Sequence, residues 1–280
     1  MIRRSIRRHP LSSYFILAYA ISWIGVLPLV LSSQGILHVR VPPLWHGVGA
    51  LGPTIAAVVV TRVVAGSAGL ANLRRRLRRW RVGVGWILLS VLSPLALFGL
   101  AFLLVRLRSG FWPPMEALWA SASSVAWLAD VAVAAVAYGF GEEVGWRGFA
   151  LPRLQEGRSA LAGTVILAVF WGLWHVPFFF YRFSFGGAPT VVGFFIGILA
   201  GAIWLTFLHN STRGSILMVA LWHMVWNVVN LAGLALSARV VGVMSGLVIV
   251  LAGVVVLAGG PTTLSVHGKY VLTRRGRYPV

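Results

Sequence analysis

Eight apolar stretches, each close to twenty residues long and separated by short basic segments, decide what this chain can fold into. The hydrocarbon core of a bilayer is about 30 Å thick and takes roughly 20 apolar residues of helix to cross. Inside it no water can satisfy backbone N–H and C=O groups, so each spanning segment must satisfy its own by becoming a helix. Applied along the chain, that ruler marks spans at 11–33, 44–65, 82–105, 122–142, 160–180, 190–208, 215–235 and 240–258. Composition supports it: 59% of residues are hydrophobic and 10% are charged, where soluble domains carry about a quarter charged residues. The expected fold is all-α, a single polytopic membrane domain of about eight transmembrane helices over residues 1–280, with basic tails at 1–10 and 259–280. The first apolar run is longer than the roughly 7 to 15 residues of a signal-peptide core, so it reads as a retained span.

The basic residues then orient the bundle. If spans alternate, eighteen of the 24 Lys and Arg residues fall on one side and five on the other, with Arg62 inside the second span. Such an excess marks the cytoplasmic side, so both termini and the ends of the spans carrying Glu142 and His223 are expected there. The run "NLRRRLRRWR" at 72–81 lies between two spans; it reads as a juxtamembrane loop facing anionic lipid rather than a nucleic-acid patch. Expected partners are therefore membrane lipids and no nucleic acid, with oligomeric state left open. The absence of cysteine excludes disulfides, thiolate nucleophiles and thiolate metal ligands. "NST" at 210–212 matches a glycosylation acceptor but sits in a short inside loop, where the match reads as chance. An arginine-rich, lysine-poor composition points to a bacterial cell membrane.

Ionisable residues inside spans are costly, at least about 2.5 to 3.5 kcal/mol each on insertion scales, and normally face a bundle interior or a watery cavity. Three clusters occur: Glu142-Glu143 with Arg147, His175 in "FWGLWHVPFFF", and His223 with Asn227 in "LMVALWHMVWNVVN". Glu143 and Arg147 stand four apart and pair on one helical face, while Glu142 points about 100° away and needs another partner. His223 and Asn227 also stand one turn apart on one face, and Asn230 continues the stripe. Pro177 removes a backbone donor just after His175 and loosens the helix there. A carboxylate that takes a proton from water, a histidine that holds the water, and a histidine with an amide that stabilise an oxyanion suffice for amide hydrolysis without a serine or cysteine. Each cluster also has a bland reading, as a satisfied ion pair, a packed imidazole or an interhelical hydrogen bond. The other histidines, including His46 and His209, lie at or beyond span ends and read as structural.

These residues resemble the CPBP family, intramembrane proteases that include the type II CAAX prenyl endopeptidases and proteins linked to bacteriocin self-immunity. "EEVGWR", followed by "GFALPRLQ", resembles the family's first motif, "WGLWH" its second and "HMVWN" its third, in order over about residues 125–235. The second motif usually begins with Phe, where this chain has Trp171; Phe170 is adjacent but out of register. The resemblance implies that Glu142 and His175 position and activate the water, that His223 and Asn227 stabilise the oxyanion, and that Glu143 and Arg147 support the site. The expected function is thus an intramembrane endopeptidase acting on a membrane-associated peptide near the cytoplasmic side, without a cofactor. A zinc version held by Glu142, His175 and His223 is the alternative for the cofactor. A non-catalytic adaptor or immunity-type protein of the same fold is the alternative for the function, and a proton-coupled transporter is a further one, disfavoured by the lack of internal repeats.

Overall fold

The computed structural model describes residues 2–110, 112, 115–183 and 185–272. Among them there is no strand. Eight helical segments are long and apolar enough to cross a membrane: Pro10–Ser33, Pro43–Leu77, Val84–Ser109, Val125–Leu154, Ala160–Phe180, Ala188–Ser211, Ile216–Leu236 and Ala238–Thr263. They are numbered here as the first to eighth spans, and each overlaps one of the eight spans expected from the sequence. The chain is an all-helical integral membrane protein. Large apolar side chains such as Leu92, Val250 and Leu257 stand exposed on the outside of the bundle, as they must where the surrounding solvent is hydrocarbon.

Two spans run much further than hydropathy indicates. The second continues to Leu77 because Gly66, at φ 62°, kinks the helix without ending it. Asn72 to Leu77 therefore belong to a helix and not to a loop, although arginine-rich sequence has no lipid-crossing signal; Arg and Leu are simply good helix formers. The fourth does not stop at 142 but passes through Glu142 and Glu143 to Leu154, since those carboxylates face protein rather than lipid. The expected tails also carry structure. Ile2–Arg8 is helical, with Arg7 Nε donating to the Val63 carbonyl at 3.1 Å. At the other end Tyr270 packs edge-on against His209, whereas Arg274, Arg275 and Arg277 lie outside the described residues.

The core that frames the site is aromatic. Tyr14 of the first span stacks on Phe149 at 4.8 Å and meets Trp146 edge-on at 5.8 Å, and Trp146 in turn meets Trp174 of the fifth span at 5.8 Å. All four are essentially fully buried. Glycine lets the backbone of the fourth span come this close: a Cβ at Gly145 would lie 2.5 Å from both Pro53 and the Tyr14 hydroxyl, and one at Gly141 would lie 2.9 Å from the Ala50 carbonyl. Small residues at such crossings are the usual means of close helix packing in membranes.

Candidate active site

The fourth span is irregular where it carries the acids. A single α-helical turn, Gly141–Gly145, is flanked by π-helical segments at Ala134–Phe140 and Trp146–Ala150. Such bulges widen the helix and recur at functional sites. Glu143 and Arg147 are both fully buried, and Arg147 Nη1 donates to Glu143 Oε1 at 2.7 Å, the pairing that their spacing of four predicts. His223 of the seventh span places Nδ1 2.8 Å from the same carboxylate oxygen. A buried carboxylate needs compensation of this kind, because leaving it unpaired in a low-dielectric interior costs several kcal/mol or about that order.

Glu142 turns the other way, as its 100° offset requires. Its Oε2 accepts a hydrogen bond from Trp171 Nε1 at 2.8 Å. Trp171 lies at the centre of the whole arrangement. Its ring stands 5.7 Å from that of His223 and 6.0 Å from that of His175, and the Arg147 guanidinium lies over it at 4.4 Å. His175 sits one turn further, at the last residue before the helix tightens into the 3-10 turn Val176–Phe180, where Pro177 has no N–H to continue the α-helix. Its Nδ1 donates to the Trp171 carbonyl at 2.7 Å. That bond fixes the tautomer: in the neutral ring, Nε2 is left with its lone pair. Phe178 and Phe194, at 5.5 and 5.3 Å, pack edge-on against the imidazole.

The remaining expected residues divide clearly. Asn227 lies one turn beyond His223, and its buried Nδ2 has no hydrogen-bond partner among the described residues, which makes it a donor for a ligand oxygen. Asn230 does not join the site; its amide donates back to the Trp226 carbonyl at 2.8 Å. The six candidate residues thus come from the fourth, fifth and seventh spans, with Glu142, His175 and His223 meeting around one indole and not bonded to one another. Among the described residues no three His, Asp or Glu side chains group closely enough to hold a metal ion. Glu143, which His223 touches, is already occupied by Arg147. Glu142, His175 and His223, the three ligands of the zinc alternative, do not form such a group among the described residues.

Two groups that matter were not legible as such in the sequence. Trp171 stood out only as a departure from Phe, yet a Phe there has no N–H to give Glu142. Arg76 was hidden among six arginines in ten residues. It is fully buried and donates to the carbonyls of Arg147 at 3.1 Å, Gly148 at 2.6 Å and Gly214 at 3.0 Å, while Nη2 meets His209 Nε2 at 2.8 Å. It ties the end of the second span to the backbone just after the acids. His209 is accordingly a buried helical residue and not the start of a loop. Asn210 of the "NST" triplet is buried too, exchanging hydrogen bonds with Gln155 at 2.7 and 3.1 Å, so its amide is unavailable for glycosylation. That pair gives the "GFALPRLQ" extension a structural role. His46, also read as structural, is buried with Nδ1 on the Tyr181 hydroxyl and its ring against Phe178.

Residues 124–229 match the family described as "Type II CAAX prenyl endopeptidase Rce1-like". A protein from Methanococcus maripaludis named "CAAX prenyl protease 2" is 30% identical over 122 residues, which is 41% of this chain and 45% of that relative. The chain therefore spans less than half of the relative's length in the match. The family match falls on the stretch that carries the three motifs and the converging side chains, and both comparisons make this chain similar to CAAX proteases over part of its length.

Proposed function

We propose that the chain is an intramembrane endopeptidase in which Glu142 is the base that activates water. The observation that carries this reading is the unequal treatment of two adjacent carboxylates. Glu143 has a guanidinium and an imidazole on one oxygen, so its charge is consumed in holding the spans together. Glu142 has a neutral indole N–H and, among the described residues, no other hydrogen-bond partner. One of its oxygens stays available for a water proton.

The steps follow from the donors and acceptors present. Water gives a proton to Glu142 while His175 Nε2 accepts its other hydrogen, and the oxygen adds to the peptide carbonyl carbon. The resulting oxyanion is met by Asn227 Nδ2–H. His223 can contribute only through Nε2–H; since Nδ1 faces the Glu143 carboxylate, that requires the imidazolium form, whose charge Glu143 balances. Collapse breaks the C–N bond, and the Glu142 carboxyl returns its proton to the leaving amine. The acid product keeps the second water hydrogen, to which His175 Nε2 is only a hydrogen-bond acceptor, and loses it to bulk water on release; the amine leaves neutral, and Glu142 and His175 are restored.

The aromatic walls around His175, including Phe178, Phe179, Phe183 and Phe194, favour a substrate with an apolar group near the scissile bond. A lipid-modified or membrane-embedded peptide fits, and the named relative suggests prenylated CAAX peptides as the first class to assay. The positive-inside distribution supports a cytoplasmic position for the site. Comparing membrane peptides from cells with and without the protein tests the function: uncleaved precursors should accumulate when it is missing. An unchanged peptide profile together with no cleavage of prenylated peptides in proteoliposomes would contradict it.

Two further results are expected. Trp171→Phe keeps an aromatic ring but removes the one hydrogen bond that Glu142 receives among the described residues, so kcat should fall roughly tenfold, the equivalent of about 1.5 kcal/mol for one bond to a charged group. KM should stay close to the parent value, because the ring and its packing remain; a change confined to KM would place Trp171 in substrate binding. Treatment with a strong zinc chelator should leave cleavage unchanged, and protein purified without added metal should hold zinc far below one equivalent. Stoichiometric zinc lost in parallel with activity would instead restore the metal reading.

A further inference from the structure

We propose that the strap formed by residues 264–270 positions the active site: Tyr270, acting through Arg76, holds the acid-bearing turn of the fourth span in register with the seventh. The catalytic half of this inference rests on the protease reading of that site. Local backbone conformation turns the chain back across the end of the bundle. Gly260, at φ 66°, breaks the last turn of the eighth span, and Leu264 is left-handed at φ 42° and ψ 56°. That conformation is unfavourable for a residue with a Cβ and persists only where its surroundings fix it; Leu264 is fully buried. The strap is then tied to the end of the sixth span. Val266 N donates to Ser211 Oγ at 3.3 Å, and Tyr270 N donates to Asn210 Oδ1 at 3.1 Å. It is tied as well to the connection after the fourth span, where Gln155 Nε2 donates to the Tyr270 carbonyl at 2.9 Å and Lys269 Nζ to the Arg158 carbonyl at 2.6 Å.

Backbone tethers alone would make this a docked end of the chain. The place of the Tyr270 ring gives it a further role. The Arg76 guanidinium lies over that ring at 4.7 Å, His209 meets it edge-on at 5.4 Å, and a Cβ at Gly214 would lie 2.7 Å from it. Arg76 in turn donates to the carbonyls of Gly214, Arg147 and Gly148. Gly214 lies just before the seventh span, which carries His223 and Asn227, and Arg147 is the residue that holds Glu143. One guanidinium therefore joins the two spans whose separation sets the distance between Glu142 and the oxyanion donors. Water that reached Arg76 would compete for its N–H groups and weaken each of these bonds, which are strong because the surroundings are dry. The Tyr270 ring covers the guanidinium with a π face, which attracts a cation without competing for the carbonyls.

The test compares the full-length parent with Tyr270→Ala and Tyr270→Phe, by backbone hydrogen exchange in detergent and by cleavage in proteoliposomes. In Tyr270→Ala, exchange over residues 141–150 and 214–223 should accelerate about tenfold, while the third span, Val84–Ser109, exchanges as in the parent. Tyr270→Phe keeps the ring and should match the parent throughout. With a farnesylated CAAX peptide as probe, kcat of Tyr270→Ala should fall at least about tenfold and KM should stay within about twofold, since displacing reacting groups by about 1 Å costs up to roughly 10²-fold. Tyr270→Phe should restore kcat. If Tyr270→Ala fails to fold, Tyr270→Leu, which fills much of the space without a π face, should show the same pattern at about threefold. Unchanged exchange at 141–150 in a folded variant, equal acceleration along the whole chain, or parent kcat despite faster exchange would overturn the positioning role. A parent that cleaves nothing counts against the protease reading and not against the strap, which the exchange pattern then upholds or overturns by itself.

Discussion

Glu142→Gln should abolish peptide cleavage, with a loss of at least about 10³-fold, while the protein stays folded and inserted. The size follows from the role: general-base assistance is worth roughly 10² to 10⁴ in rate, and no second carboxylate can substitute, because Glu143 is engaged by Arg147 and His223. Folding should survive because the glutamine side-chain oxygen can still accept the indole N–H of Trp171, so no buried donor is orphaned. Cleavage in proteoliposomes, together with a melting curve in detergent, measures both halves of the expectation. Full activity in a folded Glu142→Gln protein would remove Glu142 from the mechanism.

The second large effect is on stability. Arg147→Met should lower the unfolding free energy by about 3 to 5 kcal/mol, the usual result of removing one member of a buried pair and leaving the other charge inside. Arg147 is fully buried, its guanidinium lies over Trp171, and its Nη1 is 2.7 Å from Glu143. Glu143→Gln/Arg147→Met should therefore recover part of the loss, since the uncompensated carboxylate is gone and a glutamine oxygen can still accept from His223. Equilibrium unfolding of the two single variants and the double variant gives the coupling directly. Strictly additive losses would mean that the contact between Glu143 and Arg147 contributes nothing beyond packing.

Much of this arrangement could be read from the sequence because it depends on local periodicity. The eight spans follow from hydropathy alone, and the Glu143–Arg147 pair follows from a spacing of four. The divergence of Glu142 from Glu143 follows from 100° per residue. What the sequence does not contain is which spans touch. The contact of His223 with Glu143 joins residues 80 apart, and that of Trp171 with Glu142 joins residues 29 apart; neither distance has a period. Arg76 was hidden for a related reason: in a run of arginines, the inward one is selected only by the helical phase inherited from a kink at Gly66 and by carbonyls more than 70 residues away. The π-helical segments around Gly141–Gly145 leave no hydropathy signal, because inserting one residue per bulge shifts faces without changing composition.

The departure at Trp171 carries the clearest lesson about reading a motif residue by residue. As a packing position, Phe and Trp are near equivalents; as a hydrogen-bond position, they are not. The carboxylate held by the indole is the one proposed to move the proton, so the substitution reaches the chemistry and not only the shape of the wall.

The most direct test of the account is an electron cryomicroscopy map of the protein in a lipid nanodisc, bound to a hydroxyethylene isostere of a cleaved peptide. The account predicts the isostere hydroxyl within about 3.2 Å of Asn227 Nδ2 and His223 Nε2, with Glu142 and His175 on the opposite side of the former carbonyl carbon. An isostere seated away from these four side chains, or a Glu142 carboxylate turned from the bound ligand with protein packed between them, would contradict it.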